Sequence, residues 1–328
     1  MYRVAAKCGD SYKKDVRGYL ASSRIRIHNL AKYWDECDDY FYPEEFNQTN
    51  EEFFNPDNQF KILKDYDVVI LNKTYEWRLA LRLKENHQFV VIDFCDPDFL
   101  LSHSSETRRN NCLQTLRYTD LCIVNGKEMK KELRKVYKGP IEIIPDRLDL
   151  QGLPQKEIHN DELKRIVWYG YSENLRVLEP YMKQIINMGL EITIISDGFF
   201  KNLILVGCKY KPKDVITYKS WHPETINKQI LSTDCVFVGK DKDKYLSKFK
   251  SNNRALTGWA MGMPVAFDIR DLKKLKSREA RIKNAWNGNR MVREKFDIRH
   301  SVFEYDKIIK KLINRRINAN LNGHRKRG

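Results

Sequence analysis

Two apolar runs constrain the fold of this chain more than any other feature. Asp67-Val-Val-Ile-Leu71 and Gln88-Phe-Val-Val-Ile-Asp-Phe94 are almost uninterrupted and of strand length. A strand with one wet face alternates polar and apolar residues. A run without alternation is buried on both faces, as in a parallel sheet wrapped by helices. The flanking sequence agrees. Tyr2–Cys8, Asp120–Val124 and Pro140–Ile144 read as further strands, and helices are expected over 21–34, 75–86, 106–118 and 127–137. From 150 to 162 the sequence is polar and holds Gly152 and Pro154, the composition of a linker. The pattern then begins again. Strands are expected at Arg165–Gly170, Leu190–Ile195, Ile216–Trp221, Asp234–Val238 and Pro264–Phe267. Helices are expected over 171–188, 225–231, 271–296 and 300–316. The reading is α/β, with two doubly wound domains: 1–150, 151–300, and a C-terminal helix with a basic tail over 301–328.

Composition narrows the function classes. A hydrophobic fraction of 41% in 328 residues is enough for two buried cores, so the chain is not expected to be disordered. No run approaches the roughly 18 apolar residues of a membrane span, and no signal peptide is evident. The seven cysteines are scattered without a Cys-x-x-Cys pair, which favours neither a disulfide framework nor a structural zinc site. These features predict a cytoplasmic monomer with no obligatory metal. No Gly-x-Gly-x-x-Gly, P-loop, His-Glu-x-x-His or Ser-His-Asp order stands out, which removes the common dinucleotide, NTPase, zincin and hydrolase readings. The net charge of +16 predicts a polyanionic partner, nucleic acid or an anionic membrane surface. Between Lys307 and Gly328 there are eight Lys or Arg and no acid, a basic arm suited to phosphate contacts.

The stretch from Lys250 to Asp268 carries the sharpest chemical signal. Ser251 and Asn252 are residues that cap helices, and Ala255, Leu256, Trp259 and Ala260 follow at amphipathic spacing. Gly262 stops the helix, and Pro264-Val-Ala-Phe267 reads as a short buried strand. The first amides of a helix lack internal partners and attract anions, and Lys248, Lys250 and Arg254 crowd this end. A nucleotide diphosphate fits. The plain alternative is an ordinary helix–strand unit behind a solvated basic loop.

Arg254-Ala-Leu-Thr-Gly-Trp-Ala-Met-Gly-Met-Pro-Val-Ala266 resembles the donor-binding helix of GT-B glycosyltransferases, the class related to glycosyltransferase family 4. Leu256, Ala260, Gly262, Pro264 and Val265 carry the match. Where that family often has two glutamates for sugar and ribose hydroxyls, this chain has Phe249 and Thr257. Thr257 can make one hydrogen bond but cannot grip two vicinal hydroxyls as a carboxylate does. Lys250, Ser251, Asn252 and Asn253 are expected to take over part of that task. The resemblance implies two Rossmann-like domains facing across a cleft, the first on the acceptor side and the second binding the nucleotide sugar, with C-terminal helices packing back across the groove. It also places Gly170 and Tyr171 in the first donor-domain loop, where a glycine leaves room for phosphate. The opening Ser22-Ser-Arg-Ile-Arg26 resembles the acceptor-side loop and helix, which puts Arg24, Arg26 and His28 at acceptor or phosphate contacts. A solvated helix face is the alternative for each.

Asp93, Asp96, Asp98 and His103 follow the strand 89–94, where α/β folds hold their ligands. Asp96 is the first choice for the base that takes the acceptor's proton and His103 the second; the alternative for Asp96 is a turn residue before Pro97. The expected activity is transfer of a sugar from a nucleotide sugar, UDP-linked, to a hydroxyl. A modified base in DNA, of the phage type, is the favoured acceptor. The alternatives are a peripheral membrane enzyme acting on a lipid-linked or glycan acceptor, and a non-catalytic nucleic-acid-binding protein on the same scaffold.

Overall fold

The computed structural model describes residues 2–8, 21–39, 55–198, 212–240 and 247–325. Lys13, Lys14 and Arg17, which the sequence places in a polar, basic loop after the first strand, and the tail residues Lys326 and Arg327 lie outside the described residues. The chain divides into two compact units. The first comprises Met1–Asp149, Lys248–Ser251 and Ile298–Gly328; the second comprises Leu150–Ser247 and Asn252–Asp297.

In the first unit, β1 (Val4–Cys8), β2 (Cys37–Asp39), β3 (Val68–Asn72), β4 (Phe89–Phe94), β5 (Leu121–Val124) and β6 (Ile141–Ile143) form one sheet. Its order is β2-β1-β3-β4-β5-β6, and each pair is parallel. Every residue of β3 and β4 is buried, because both faces are covered. Ile70 and Val91 pack with Ile27, Leu30 and the C-terminal helix, Ile298–Arg325, while Val69 and Val90 pack with Leu63, Leu79 and Leu83 on the other side. Each such side chain withdrawn from water contributes roughly 1.5–3 kcal/mol.

The covering helices start where their caps dictate. Helix α1 runs from Ala21–Ser23 through a π-helical stretch, Arg24–His28, to Asn29–Ala31. It has begun by Ala21, so Ser22 and Ser23 lie inside it rather than capping it, and Ser23 makes no side-chain cap bond. Asn55 caps α2 (Pro56–Leu63) by accepting the Asp57 amide at 2.9 Å. Next come α3 (Trp77–Glu85), α4 (Glu106–Leu116), capped by Ser105, and α5 (Lys127–Leu133).

The second unit holds β7 (Arg165–Tyr169), β8 (Glu191–Ser196), β9 (Ile216–Ser220), β10 (Cys235–Phe237) and β11 (Val265–Ala266), parallel and in the order β11-β10-β7-β8-β9. Its helices are α6 (Glu179–Asn187), α7 (Pro212–Val215), α8 (Ile226–Leu231), α9 (Asn253–Ala260), α10 (Ile269–Lys274) and α11 (Arg278–Lys295). Gly258 lets α9 lie close on the sheet, since a Cβ there would stand 3.1 Å from both Val236 and Val265. Helix α11 is bound to α9 in turn. Asn284 Oδ1 accepts from Trp259 Nε1 at 3.0 Å and from the Val265 amide at 2.9 Å, and Asn289 donates to the Trp259 and Ala260 carbonyls, each at 2.9 Å.

Strand order reverses between β1 and β3 in the first sheet and between β7 and β10 in the second. Ligands of open α/β sheets bind beyond the carboxyl ends of the strands at such reversals.

Candidate functional site

At the second reversal both strand ends run into glycine. Gly170 follows β7 with φ +156° and Gly239 follows β10 with φ +72°, backbone that a side chain resists. A Cβ on Gly239 would stand 2.7 Å from Val177 Cγ1. A Cβ on Gly170 would lie 3.2 Å from the Trp168 ring and 3.7 Å from Arg254 Cδ. The glycine therefore spares the Trp168 ring a tight contact and leaves Arg254 at ordinary van der Waals distance. Its guanidinium lies 5.1 Å from the centre of the buried Trp168 ring, and the Tyr169 hydroxyl donates to the Arg254 carbonyl at 2.6 Å. Two successive strand residues, facing opposite sides of the sheet, thus fix the first turn of α9. Burial raises the Tyr169 phenol well above its ordinary value, so it stays a neutral donor.

The other donor-side expectations fall as follows. Lys250, Ser251 and Asn252 are exposed, Asn253, Arg254 and Thr257 are half-buried, and Tyr171 is exposed just past Gly170. Asn252 occupies the cap position of α9, but its side chain makes no capping bond, contrary to the capping expected of Ser251 and Asn252. Thr257 turns its side chain toward the Tyr169 hydroxyl. Phe249 is buried, and its carbonyl accepts from Asn125 Nδ2 at 2.9 Å, so Lys248–Ser251 docks at the end of β5 within the first unit. Lys240 pairs with Asp268 at 2.7 Å, and with the α10 amide at Asp271 this holds the Asp268 carboxyl down at about 2.

The carboxyl edge of the first sheet is crowded with charge. Arg26, expected at the acceptor, is instead buried. It grips Asp93 at 2.6–2.9 Å, Asp146 at 2.7 Å and the Ile144 carbonyl at 3.0 Å. Burial opposes its charge, but Asp93, Tyr305 and Asp146 more than offset this and raise its pKa. The acceptor assignment of Arg26 is therefore corrected: every direction of its guanidinium is committed inside the unit. Asp93 is likewise removed from acid–base work, being held by Arg26 and by Asn72 at 3.1 Å. Arg24 and His28, on the same π-helical stretch, are half-buried, and His28 Nε2 lies 3.9 Å from Cys8 Sγ.

Asp98 is the second buried hub. It accepts from Tyr75 at 2.8 Å, Ser104 at 2.8 Å and Arg108 at 2.9 Å. Burial pushes its carboxyl up, but the Arg108 guanidinium and the Tyr75 hydroxyl outweigh that and leave it below the usual carboxylate range. His103 Nε2 stands 3.9 Å from Asp98 Oδ1 and is 24% exposed, so it keeps one side toward solvent. Asp96 is 30% exposed and paired with Lys73 at 2.6 Å. Both candidate bases thus remain reachable, and each has a fixed neighbour.

Sequence reasoning missed Lys73, Trp168 and Asn125. Lys73 has φ +51°, unusual for a side-chain-bearing residue, at the carboxyl end of β3. Only Trp168 carried a sequence signal, a large aromatic two residues before a strand-ending glycine. Among the described residues no group of three or more His, Cys, Asp or Glu could hold a metal ion.

No protein-family model matches the sequence, and no curated protein matches it. Solved structures match the fold. HepE from Anabaena, in complex with UDP-glucose, superposes with a TM-score of 0.68 at 10% identity, covering 95% of this chain and 100% of that one. TarM from S. aureus, in complex with fondaparinux, alpha-GlcNAc-glycerol and UDP, gives a TM-score of 0.58 at 11% identity over 76% of this chain and 57% of that one. A UDP-N-acetylglucosamine 2-epimerase from Listeria monocytogenes, so described in its structure, gives 0.54 at 11% identity over 96% and 98%. The chain has the two-domain, Rossmann-like GT-B fold.

Proposed function

We propose that this protein transfers a sugar from a UDP-linked donor to a hydroxyl acceptor. One observation carries the reading: Arg254, laid over Trp168 beside Gly170, presents a fixed cation at the strand reversal where α9 begins. HepE holds UDP-glucose on the same fold. In the proposed reaction the bond from sugar C1 to the phosphate oxygen breaks and UDP leaves with the electron pair. Arg254, Lys250 and the first amides of α9 stabilise the leaving diphosphate electrostatically. The acceptor oxygen bonds to C1 and gives up its proton to Asp96 or His103. Gly170 and Tyr171 line the donor loop, while Ser251, Asn252, Asn253 and Thr257 supply polar contacts to the nucleotide sugar.

Two acceptors are proposed, both polyanionic in setting. Transfer to a modified base in DNA rests on the charge of +16 and on the acid-free basic run from Lys307. Transfer to a lipid-linked or glycan acceptor at an anionic membrane rests on the same net charge.

The test starts from the donor. UDP-glucose and UDP-N-acetylglucosamine should raise the melting temperature of the native protein by mass action. Arg254→Ala should weaken that binding by roughly 1.5–3 kcal/mol, the size of a charge-assisted contact. Donor affinity equal to wild type in a folded Arg254→Ala protein would overturn the assignment. With a donor in hand, Asp96→Asn and His103→Gln are compared for transfer at unchanged donor affinity. The residue acting as base should cost at least about a hundredfold. Conversion of the free UDP-sugar to its epimer with no acceptor present would favour the epimerase chemistry instead.

A further inference from the structure

We infer that the outward face of the C-terminal helix binds single-stranded nucleic acid, following its phosphates and stacking one base. Arg299, Phe303, Lys307, Lys311 and Arg315 recur at every fourth position of this helix, and all five are exposed. Four residues rise about 6 Å along a helix axis, so they form one row about 24 Å long. The other apolar side chains turn the opposite way. Ile298, Tyr305 and Ile309 are buried in the core of the first unit, with Val302, Ile308, Leu312 and Ile313 packed against it. Phe303, 68% exposed, is the one large apolar side chain that the described part of the helix leaves in water. A single exposed phenylalanine is ordinary; its place in line with the cations is what gives it meaning.

The charge of the row survives a count of its neighbours. The helix itself carries Glu304 and Asp306, and no Asp or Glu follows them to the end of the chain. Glu304 is taken by Arg147, at 2.8 and 2.9 Å, and Asp306 by Tyr2 and by Lys310, the latter at 2.8 Å. Asp120, near Arg316, is paired with Lys84. Glu36 acts on Lys310, and Asp297 stands two residues before Arg299. Even with Arg299 set against Asp297 and Lys310 against Asp306, Glu36 is outnumbered by Lys307, Lys311 and Arg315. Among the described residues these three have no carboxylate within ion-pair distance.

This chemistry selects the occupant. Cations in line with one aromatic ring are what a single strand needs, since its phosphates meet the cations and an unpaired base lies on the ring. A duplex would use the cations, but its bases are stacked inside and leave Phe303 idle. A bilayer would gain one ring and no aliphatic side chain, because the helix packs those into the core. The inference does not depend on sugar transfer, and it holds whether or not the bound strand is also the acceptor.

The experiment is fluorescence anisotropy of a labelled oligothymidylate of about 12 nucleotides, a usual span for such a site, titrated with the full-length protein as salt is varied. Wild type should bind it, and more weakly as salt rises. Phe303→Ala should weaken binding roughly tenfold, the usual worth of one stacked base, and Phe303→Trp should restore it. Lys307→Ala combined with Lys311→Ala should weaken binding and flatten the log–log salt slope by about 1.4, at about 0.7 for each phosphate contact. None of these changes should lower the melting temperature, because all three side chains are exposed. The competitors are the same strand paired with oligodeoxyadenylate, and phosphatidylglycerol vesicles. No oligonucleotide binding, or binding that either the Phe303→Ala or the lysine variant retains in full, would overturn the inference. So would a duplex that competes as well as the single strand, or vesicle binding lost in the lysine variant while the oligonucleotide is bound as before. UDP-glucose affinity, measured in parallel, reports on sugar transfer separately. If it is absent while oligonucleotide binding persists, the transferase reading fails and nucleic-acid binding stands.

Discussion

At the residue scale, buried charge separates scaffold from chemistry. Arg26 looked like an acceptor contact because it sits in a basic opening helix. It is in fact the cation that makes Asp93 and Asp146 tolerable inside the unit. Removing one partner of such a cluster leaves the others buried without compensation, typically costing 3–5 kcal/mol. Arg26→Ala should therefore unfold at clearly lower urea, and any activity lost should track the fraction unfolded. An acceptor contact would behave differently, raising the acceptor KM in a protein of normal stability. Asp96 and His103 are instead partly exposed, each beside one charged neighbour, Lys73 and Asp98.

At the element scale, the second unit depends on how closely α11 and α9 approach. Gly288 sits directly against the Trp259 ring, and a Cβ there would overlap the indole. The Asn284 and Asn289 bonds to Trp259, Val265 and Ala260 hold the same contact by polar means. Gly288→Ala should destabilise the protein by roughly 1–3 kcal/mol, the usual size of overpacking, despite alanine's better helix propensity. Urea unfolding checks this, and a variant as stable as wild type would show that α11 can slide. Because Trp259 lies on the α9 that carries Arg254, donor affinity should fall with it.

At the scale of the whole molecule, acid should be the efficient denaturant. Asp98 and Asp268 both sit below their ordinary range when folded, the latter at about 2. A carboxylate depressed in the folded state contributes stability above its unfolded pKa of about 4 and loses it as pH falls through the folded value. Protonation also adds positive charge to a chain already at +16. Stability should therefore hold through neutral pH and fall between about pH 4 and 2. Asp98→Asn should be less stable than wild type at pH 7, and the gap should close as pH falls below the ordinary carboxylate range. A gap independent of pH would mean that Asp98 acts by shape and not by charge.

The sequence by itself determined the parallel strands, their alternation with helices and the restart of the pattern after residue 150. These follow from local periodicity, and a run such as Val68–Leu71 has no stable home except between two helical layers. It also indicated α9 and the strand-ending Gly170, because helix stops and glycine turns are written in adjacent residues. Only the tertiary structure decided which charges are spent inside. Arg26 meets carboxylates 67 and 120 positions away, brought to it by strand order and not by spacing. The same holds for Asp98, whose partners come from α4 and from the segment before α3, and for Trp168 under Arg254. Lys248–Ser251 likewise reads as one loop with α9, yet the Asn125 bond ties it to the first unit. The physical reason is common to all of them. Local sequence fixes backbone conformation, while the cost of burying a charge is met only by groups that crossover connections bring together.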